Sequence, residues 1–339
     1  MSTDEQYMSR AIELARHGLG SVSPNPMVGC VIVAGGRVIG EGWHRKWGEG
    51  HAEVNAVASV APADRCLLPE ATAYVTLEPC SHYGKTPPCA RLLAENRLHR
   101  VVVGSLDPFE KVSGRGVAML RDAGVEVTVG VLEQECRSLN PTFMLAHTLG
   151  RPWVTLKWAQ SADGFIDGNR RPDEAAVRFS STLSSMLVHR LRSLHDAILV
   201  GSGTMVADRP RLTVRSWPGR SPRRFVADRT ASLDPLLTEG FDCLGSSDVA
   251  DPAGYLESIY KAGCTSVLVE GGRSLLQAFI DADLFDMVRV ETAPFRLGSG
   301  VAAPVLSGVS IKTVMVGDNR IDYYRSAPWC FTEQLLNYI

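Results

Sequence analysis

Long apolar stretches are missing from this chain. The longest, around Val28 to Ala34, runs for about seven residues, where a membrane-crossing helix needs about 20. An excess of charge is missing too. Lys+Arg total 35 against 37 Asp+Glu, a net charge of −2, so no broad basic field is available to hold a nucleic acid. There is no internal repeat and no low-complexity tract. The opening residues, Met1-Ser2-Thr3-Asp4-Glu5, lack the basic and apolar pattern of a secretory signal, which makes the cytoplasm the expected location. Eight cysteines are scattered over 339 residues; that dispersal argues against a disulfide framework and for small buried thiols. What is present is ordinary for a globular protein: 45% hydrophobic and 21% charged residues, enough to exclude general disorder. The length favours two domains.

The order of elements predicts an α/β protein. Met8, Ala11, Ile12 and Ala15 have helical spacing, with Thr3 and Gln6 fitting a capping box and Gly18 a stop. Strands are expected at 28–33 and 37–41, joined by a turn at Ala34-Gly35-Gly36. Strands at 73–76, 100–103 and 125–129 then alternate with helices after His51, at 89–95 and at 117–122. Polar breaks at Asn140-Pro141 and Gly150-Arg151-Pro152 place a boundary near 147–152, giving domains 1–147 and 148–339. A second α/β series has strands at 154–158, 197–200, 224–227, 266–269 and 287–291. Its helices are expected at 184–194 and 274–282, and a closing hairpin at 309–316 and 322–325.

One constellation carries chemistry. His51-Ala52-Glu53 precedes Glu78-Pro79-Cys80, and Cys89 follows further on. His-x-Glu with a later Pro-Cys and Cys is the pattern of zinc deaminases of bases and nucleosides. An imidazole and two thiolates fill three positions of a tetrahedral zinc ion and leave the fourth for water, whose pKa falls towards about 7. Glu53 is close enough to exchange that water's proton without ligating the metal. Cys80 is expected at a strand-to-helix turn, where a helix N-terminus favours a thiolate.

The segments Ser23-Pro24-Asn25-Pro26-Met27-Val28-Gly29, Gly50-His51-Ala52-Glu53-Val54-Asn55-Ala56 and Tyr74 to Cys89, together with Asp107-Pro108 and Gly114-Arg115-Gly116, closely resemble the bifunctional riboflavin-biosynthesis deaminase/reductase of bacteria. The resemblance implies a cytidine-deaminase-like three-layer domain followed by a dihydrofolate-reductase-like α/β domain. It implies hydrolytic deamination of 2,5-diamino-6-(5-phosphoribosylamino)pyrimidin-4-one in the first. His51, Cys80 and Cys89 would hold zinc and Glu53 would move protons. Asn25, His44, His82, Lys85 and Asp107 would hold the pyrimidine and its ribose phosphate. One departure is Phe109, where the family has Asn.

The second half offers weaker signals. Leu199-Val200-Gly201-Ser202-Gly203-Thr204 and Val269-Glu270-Gly271-Gly272-Arg273-Ser274 each run from a strand into a glycine turn. Such turns let backbone N–H groups approach phosphates, yet neither is a full dinucleotide fingerprint. Leu156 to Gly164, Asp208 to Arg215 and Val269 to Gly272 resemble the reductase domain of the same family, which uses NADPH to reduce the ribosyl group to ribityl. By position, Ala159, Thr204, Asp208, Gly271, Gly272, Arg273 and Ser274 would line the cofactor. Lys157, Arg192, Leu212, Arg215 and Glu270 would meet the substrate. Departures are Ala162 for Leu, Arg178-Phe179-Ser180 for Trp-Ile-Thr, and Arg229 for Ser. Loss of the Trp removes an apolar wall, while Arg229 would favour the 2′-phosphate of NADPH.

A fused bifunctional enzyme is therefore the expectation. It would act on a small molecule, away from nucleic acid and membrane, as a homo-oligomer. Two alternatives stay open at this point: a deaminase whose second half is an assembly surface, and a zinc-stabilised sensor of a flavin precursor.

Overall fold

The computed structural model describes residues 2–83, 87–109, 113–171, 174–231, 233–245 and 251–326. The chain divides into two compact units between Leu149 and Gly150. The first unit begins with α1 (Thr3–Arg16), the hairpin β1 (Gly29–Ala34) and β2 (Arg37–Trp43), and α2 (Ala52–Ser59). A 3-10 turn (Pro62–Glu70) leads to β3 (Thr72–Leu77), α3 (Cys89–Glu95), β4 (Arg100–Ser105), α4 (Arg115–Asp122), β5 (Glu126–Val129), α5 (Glu133–Ser138) and α6 (Pro141–Leu149). The sheet runs β2-β1-β3-β4-β5. β1 is antiparallel to both its neighbours, and β3, β4 and β5 are parallel.

Period-two alternation makes three layers. Cys30 and Ile32 of β1, Val75 of β3 and Val101 and Val103 of β4 pack with Ala52 and Ala56 of α2, Leu93 of α3 and Leu120 of α4. Val31, Val33, Tyr74 and Val102 face the opposite way, onto Met8, Ala11 and Ala15 of α1 and Leu139 beyond α5.

One local expectation is corrected here. The cap of α1 is Ser2 with Glu5, not Thr3 with Gln6: Glu5 N–H donates to Ser2 Oγ, and Ser2 N–H donates to the Glu5 carboxylate at 2.6 Å. The residues after Asn140 form a further helix ahead of the boundary. Pro141 opens α6, where the missing N–H costs nothing.

The second unit comprises β6 (Trp153–Gln160), β7 (Phe165–Asp167), α7 (Thr182–Ser193), β8 (Ala197–Gly201), α8 (Ser202–Asp208), β9 (Arg223–Ala227) and β10 (Asp242–Leu244). It continues with α9 (Pro252–Lys261), β11 (Ser266–Val269), α10 (Arg273–Asp281), β12 (Met287–Thr292), β13 (Val301–Ala302), β14 (Lys312–Val316) and β15 (Asn319–Arg325). Among the described residues the main sheet is β10-β9-β8-β11-β6-β12-β15-β14, parallel from β10 to β12 and antiparallel beyond. Val154, Leu156 and Trp158 of β6 and Val288 and Val290 of β12 pack with Tyr255 and Ile259 of α9 and Phe279 of α10. The other face is divided. One part is apolar, built on Ile198, Val200, Leu268 and Leu191 of α7; the other carries the charges described below. The cysteines divide as well: Cys30, Cys136 and Cys264 are buried, whereas Cys66 and Cys243 are exposed.

Candidate active sites

The first site lies at the C-terminal ends of the paired parallel strands β3 and β4, the usual crevice of an open α/β sheet. His51 is the N-cap of α2, and Glu53 lies in that helix's first turn. Cys89 is the first residue of α3. Cys80 sits in the loop after β3, and its sulfur accepts the Cys89 N–H at 3.3 Å. The long loop thus folds back through a backbone-to-sulfur bond that the sequence did not announce.

The three donor atoms of His51, Cys80 and Cys89 all lie within 4.8 Å of one another. His51 Nδ1 is 3.4 Å from Cys89 Sγ and 3.7 Å from Cys80 Sγ. A tetrahedral zinc ion with ordinary bond lengths holds its nitrogen and sulfur donors about 3.6 Å apart. The donor set and its spacing therefore fit zinc. Hydrogen bonding from Cys89, helped by His51, holds the Cys80 thiol down at about 4, while the Cys89 thiol is pushed up by the same bond and by burial. Glu53 is 3% exposed; burial first, then the charge of Cys80, pushes its carboxyl up to about 7.

Asn25 and His44 join this centre. Asn25 Nδ2 is 3.2 Å from His44 Nε2, His44 Nδ1 is 3.1 Å from the Gly50 carbonyl, and the His44 and His51 rings meet edge-on at 5.4 Å. Burial lowers the His44 pKa, favouring a neutral ring that can read a substrate edge. Asp107 follows β4 and donates its N–H to Glu78 Oε2 at 3.2 Å. His82 is exposed beyond Cys80, within electrostatic reach of Asp107. Lys85 lies outside the described residues.

Glu78 is a residue whose role the sequence did not reveal. Its buried carboxylate accepts four backbone N–H groups, from Asp107, Gly114, Gly116 and Val117, at 2.8 to 3.2 Å. It thereby caps α4 and fixes the turn that carries Cys80. A Cβ on Gly116 would stand 2.0 Å from the Pro79 carbonyl, so only glycine lets α4 approach so closely. Glu78→Ala would orphan all four donors. We expect it to cost about 3–5 kcal/mol of stability and to weaken metal retention, as read by thermal melting and zinc content. An unchanged melt would remove Glu78 from this role.

In the second unit, Lys157, Arg192 and Glu270 converge from β6, α7 and the residue after β11. Arg192 grips Glu270 in a two-pronged pair at 2.7 and 2.9 Å. Burial lowers the Lys157 pKa, opposed by Glu270. Burial pushes the Glu270 carboxyl up, but Arg192 and Lys157 overcome it and hold the group at about 2. The loop bearing the buried Leu212 and the exposed Arg215 is tied to α7: the Thr213 carbonyl accepts from Arg192 at 3.4 Å, and Arg215 N–H donates to His189 at 2.9 Å. Two further charges were missed. Arg289 stands in register with Lys157, and Glu291 with Ala159; they are 1% and 0% exposed. Alternating charges between the Met and Val residues of a central strand were the available signal.

The glycine turns fit a dinucleotide. Gly201 and Gly272 cap α8 and α10 without any side-chain cap bond, at the ends of the paired strands β8 and β11. A Cβ on Gly271 would meet Leu275 at 2.8 Å and Gly201 N at 3.1 Å. Gly272 N–H donates to Thr204 Oγ1 at 2.9 Å. Bare N–H groups at the α10 terminus, where Arg273 and Ser274 are exposed, suit a pyrophosphate. Asp208 is paired with Arg170.

The departures have structural consequences. Arg178 is exposed, but the neighbouring Phe179 is buried and stacks on Phe295 with centroids 5.7 Å apart, so an apolar aromatic element remains. Ala162 is exposed, while Asp163 beside it accepts from Ser161 Oγ, Leu297 N–H and Gly298 N–H. Arg229 is exposed just beyond β9, whose last residue pairs with Gly201.

Comparison with known proteins bears on both units. Residues 1–105 match the cytidine and deoxycytidylate deaminase zinc-binding region, and residues 152–324 match the RibD C-terminal domain. Riboflavin biosynthesis protein RibD of Actinobacillus pleuropneumoniae is 36% identical, over 92% of this chain and 89% of that protein. The chain belongs to the RibD family. RibD of Escherichia coli is 34% identical over 87% of this chain and 89% of its own. The structure of Acinetobacter baumannii RibD superposes with a TM-score of 0.84 at 32% identity, covering 96% of this chain and 99% of that one. A Thermotoga maritima diaminohydroxyphosphoribosylaminopyrimidine deaminase/5-amino-6-(5-phosphoribosylamino)uracil reductase gives 0.79 at 35% identity, over 96% and 99%. The chain is thus a bifunctional deaminase/reductase of riboflavin biosynthesis: a zinc-dependent hydrolase of cytidine-deaminase-like fold, fused to an NADPH-dependent oxidoreductase of dihydrofolate-reductase-like fold. It acts on a small phosphoribosylaminopyrimidine. Neither the assembly-surface alternative nor the sensor alternative finds support in these matches. No helix among the described residues is long and apolar enough to cross a membrane.

Proposed function

We propose that this RibD enzyme divides its two reactions between the two clusters just described. In the first unit His51, Cys80 and Cys89 hold zinc, which when bound activates water as a nucleophile near neutral pH. Asn25 and His44 orient the pyrimidine of 2,5-diamino-6-(5-phosphoribosylamino)pyrimidin-4-one, and Asp107, His82 and Lys85 hold its ribose phosphate. Glu53 would take one proton from the water and pass it to the ring nitrogen as the oxygen adds to the ring carbon, then carry the second, from the new hydroxyl, to the amino group as it leaves as ammonia. The product is 5-amino-6-(5-phosphoribosylamino)uracil.

In the second unit Ala159, Thr204, Asp208 and the turn Gly271-Gly272-Arg273-Ser274 line the NADPH site, and the cofactor when bound supplies hydride. Arg192, Leu212, Arg215 and Glu270 hold the ribosyl substrate in its open-chain imine form, with Lys157 beside the carbon to be reduced. We further propose a cytoplasmic homo-oligomer with no nucleic-acid partner, consistent with the balanced charge of −2.

The observation that carries this reading is the gathering of one imidazole, two thiols and a buried carboxyl within one crevice. A coupled assay tests it. Given the diaminopyrimidine, NADPH and zinc, the enzyme should release ammonia first and then oxidise NADPH. Chelation should stop ammonia release while leaving NADPH oxidation intact when the deaminated intermediate is supplied. A zinc-loaded enzyme that releases no ammonia would overturn the proposal.

A further inference from the structure

Leu212 and Arg215, two of the proposed contacts to the ribosyl substrate, stand between α8 and β9 on backbone that belongs to no helix or strand. Leu212 has φ +53°, a left-handed conformation that a residue other than glycine adopts at a cost. Such backbone persists only where its surroundings hold it. The Leu212 side chain is one anchor, packed with Leu191 of α7 and Met205 of α8. The backbone that follows, from Thr213 to Arg215, needs anchors of its own.

Helix α7 supplies them. His189 and Arg192 are three positions apart, on one face of that helix, and they hold alternate residues of the loop. Arg192 Nη1 donates to the Thr213 carbonyl at 3.4 Å, and Arg215 N–H donates to His189 Nδ1 at 2.9 Å. The other nitrogens of Arg192 grip Glu270, so the same helical face ties the loop to the buried anion. The shorter of the two loop bonds fixes the state of the imidazole. A backbone N–H can only donate, so Nδ1 is bare and the proton of the neutral ring sits on Nε2. An imidazolium would set one N–H against another and break the bond.

We propose that His189 is a positioning residue of the reductase: its neutral ring, bare at Nδ1, holds the Leu212–Arg215 loop in the conformation that meets the ribosyl substrate. The inference rests on the reading of Leu212 and Arg215 as substrate contacts and adds the residue that sets them. His189 is 8% exposed; it acts through the Arg215 backbone and needs no contact with the substrate. The charged groups facing the ring are Arg192 from its own helix, Arg215 from the loop and Glu270 after β11. Burial first, then the two arginines, lowers the pKa of the ring from its ordinary 6.5, with Glu270 opposing. The folded protein therefore prefers the neutral ring. The bond is intact above 6.5 and is lost only as pH falls further, through the lowered value.

The test uses the full zinc-loaded chain with NADPH and 5-amino-6-(5-phosphoribosylamino)uracil, following NADPH oxidation. His189→Leu keeps apolar bulk and removes the acceptor; His189→Asn offers its Oδ1 near the Nδ1 position. H189L should raise the reductase KM about tenfold, the loss of one hydrogen bond, with kcat within about threefold, the split expected of lost uniform binding. H189N should stay near the wild-type KM at neutral pH. Ammonia release should not move in either. Below pH 6.5 the wild-type KM should climb towards that of H189L, measured against H189N, whose side chain does not titrate; the ratio cancels the titration of the substrate's own phosphate. Histidine-selective nitrogen-15 NMR at neutral pH should show a protonated Nε2 and a bare Nδ1 for the signal that H189N lacks. A wild-type KM in H189L, a tenfold higher KM in folded H189N, or the opposite tautomer overturns the proposal. If H189L melts early, H189N, the pH comparison and the tautomer decide. Arg215→Ala separates this inference from the reading beneath it. A raised KM there beside an unchanged KM in H189L overturns the positioning role alone, whereas an unchanged KM in Arg215→Ala overturns the substrate-loop reading and the proposal with it.

Discussion

Glu53→Gln should reduce ammonia release by about 10³-fold, within the range spanned by general acid–base catalysis, and should leave zinc content and NADPH oxidation unchanged. The substitution keeps the shape of the side chain and removes only its capacity to gain and lose a proton. Glu53 is buried in the first turn of α2, directly after the N-cap His51. Burial and the neighbouring thiolate raise its carboxyl to about 7 before any cation's field is added; a divalent ion on the three donors draws that value down. Either way the group is shielded from bulk water and faces the crevice where ammonia must be made and protonated. Stopped-flow ammonia detection on the diaminopyrimidine gives the rate, and elemental analysis gives the zinc. A Glu53→Gln enzyme that keeps a tenth of its activity would show that the proton travels by another route. A variant that loses its zinc would show that Glu53 holds the site together rather than working within it.

The metal centre was legible because its chemistry is local. His51 and Glu53 are two residues apart, and Cys80 ends a motif that begins at Glu78, so residue type and spacing alone define the donor set. Strand and helix positions were legible for the same reason. The 89–95 helix and the 266–269 strand lie where period and turn chemistry put them. What the sequence concealed depends on contacts between distant segments. The four N–H groups gathered by Glu78 come from residues 29 to 39 positions away. The cap of α1 turned on a one-residue choice between two acceptable boxes, settled by the Ser2–Glu5 pair. The aromatic pair Phe179–Phe295 joins residues 116 positions apart by number, and it tempers the consequence of losing a tryptophan at Arg178. The reductase cluster is the extreme case. Lys157, Arg192 and Glu270 come from three segments, and only the resemblance to a family joined them.

That cluster yields the other large expected effect. Glu270→Gln should abolish reductase turnover and cost the second unit about 3–5 kcal/mol, the usual result of leaving a buried charge unpaired. Lys157, Arg192 and Arg289 would then share Glu291, whose Oε1 already accepts from Asn319 at 2.6 Å and whose Oε2 is 3.5 Å from Arg289. The deaminase reaction should survive, since its side chains all lie before Leu149, and unfolding should separate into two transitions. The pH dependence follows from the sign of the shift. The Glu270 carboxyl is held at about 2, below its ordinary 4.5, so the folded state binds this proton less readily than the unfolded chain. Its stabilising contribution is complete above about 4.5 and is lost as pH falls towards 2. Melting of the wild-type second unit should therefore fall between those values, and Glu270→Gln should flatten that part of the curve. The double variant Arg192→Leu with Glu270→Leu separates structure from chemistry. Replacing both partners with apolar groups should restore much of the stability, yet reductase turnover should stay lost because the substrate's anchor is gone. Recovery of turnover in the double variant would reduce the Arg192–Glu270 pair to a structural tie and move the substrate site elsewhere on the sheet.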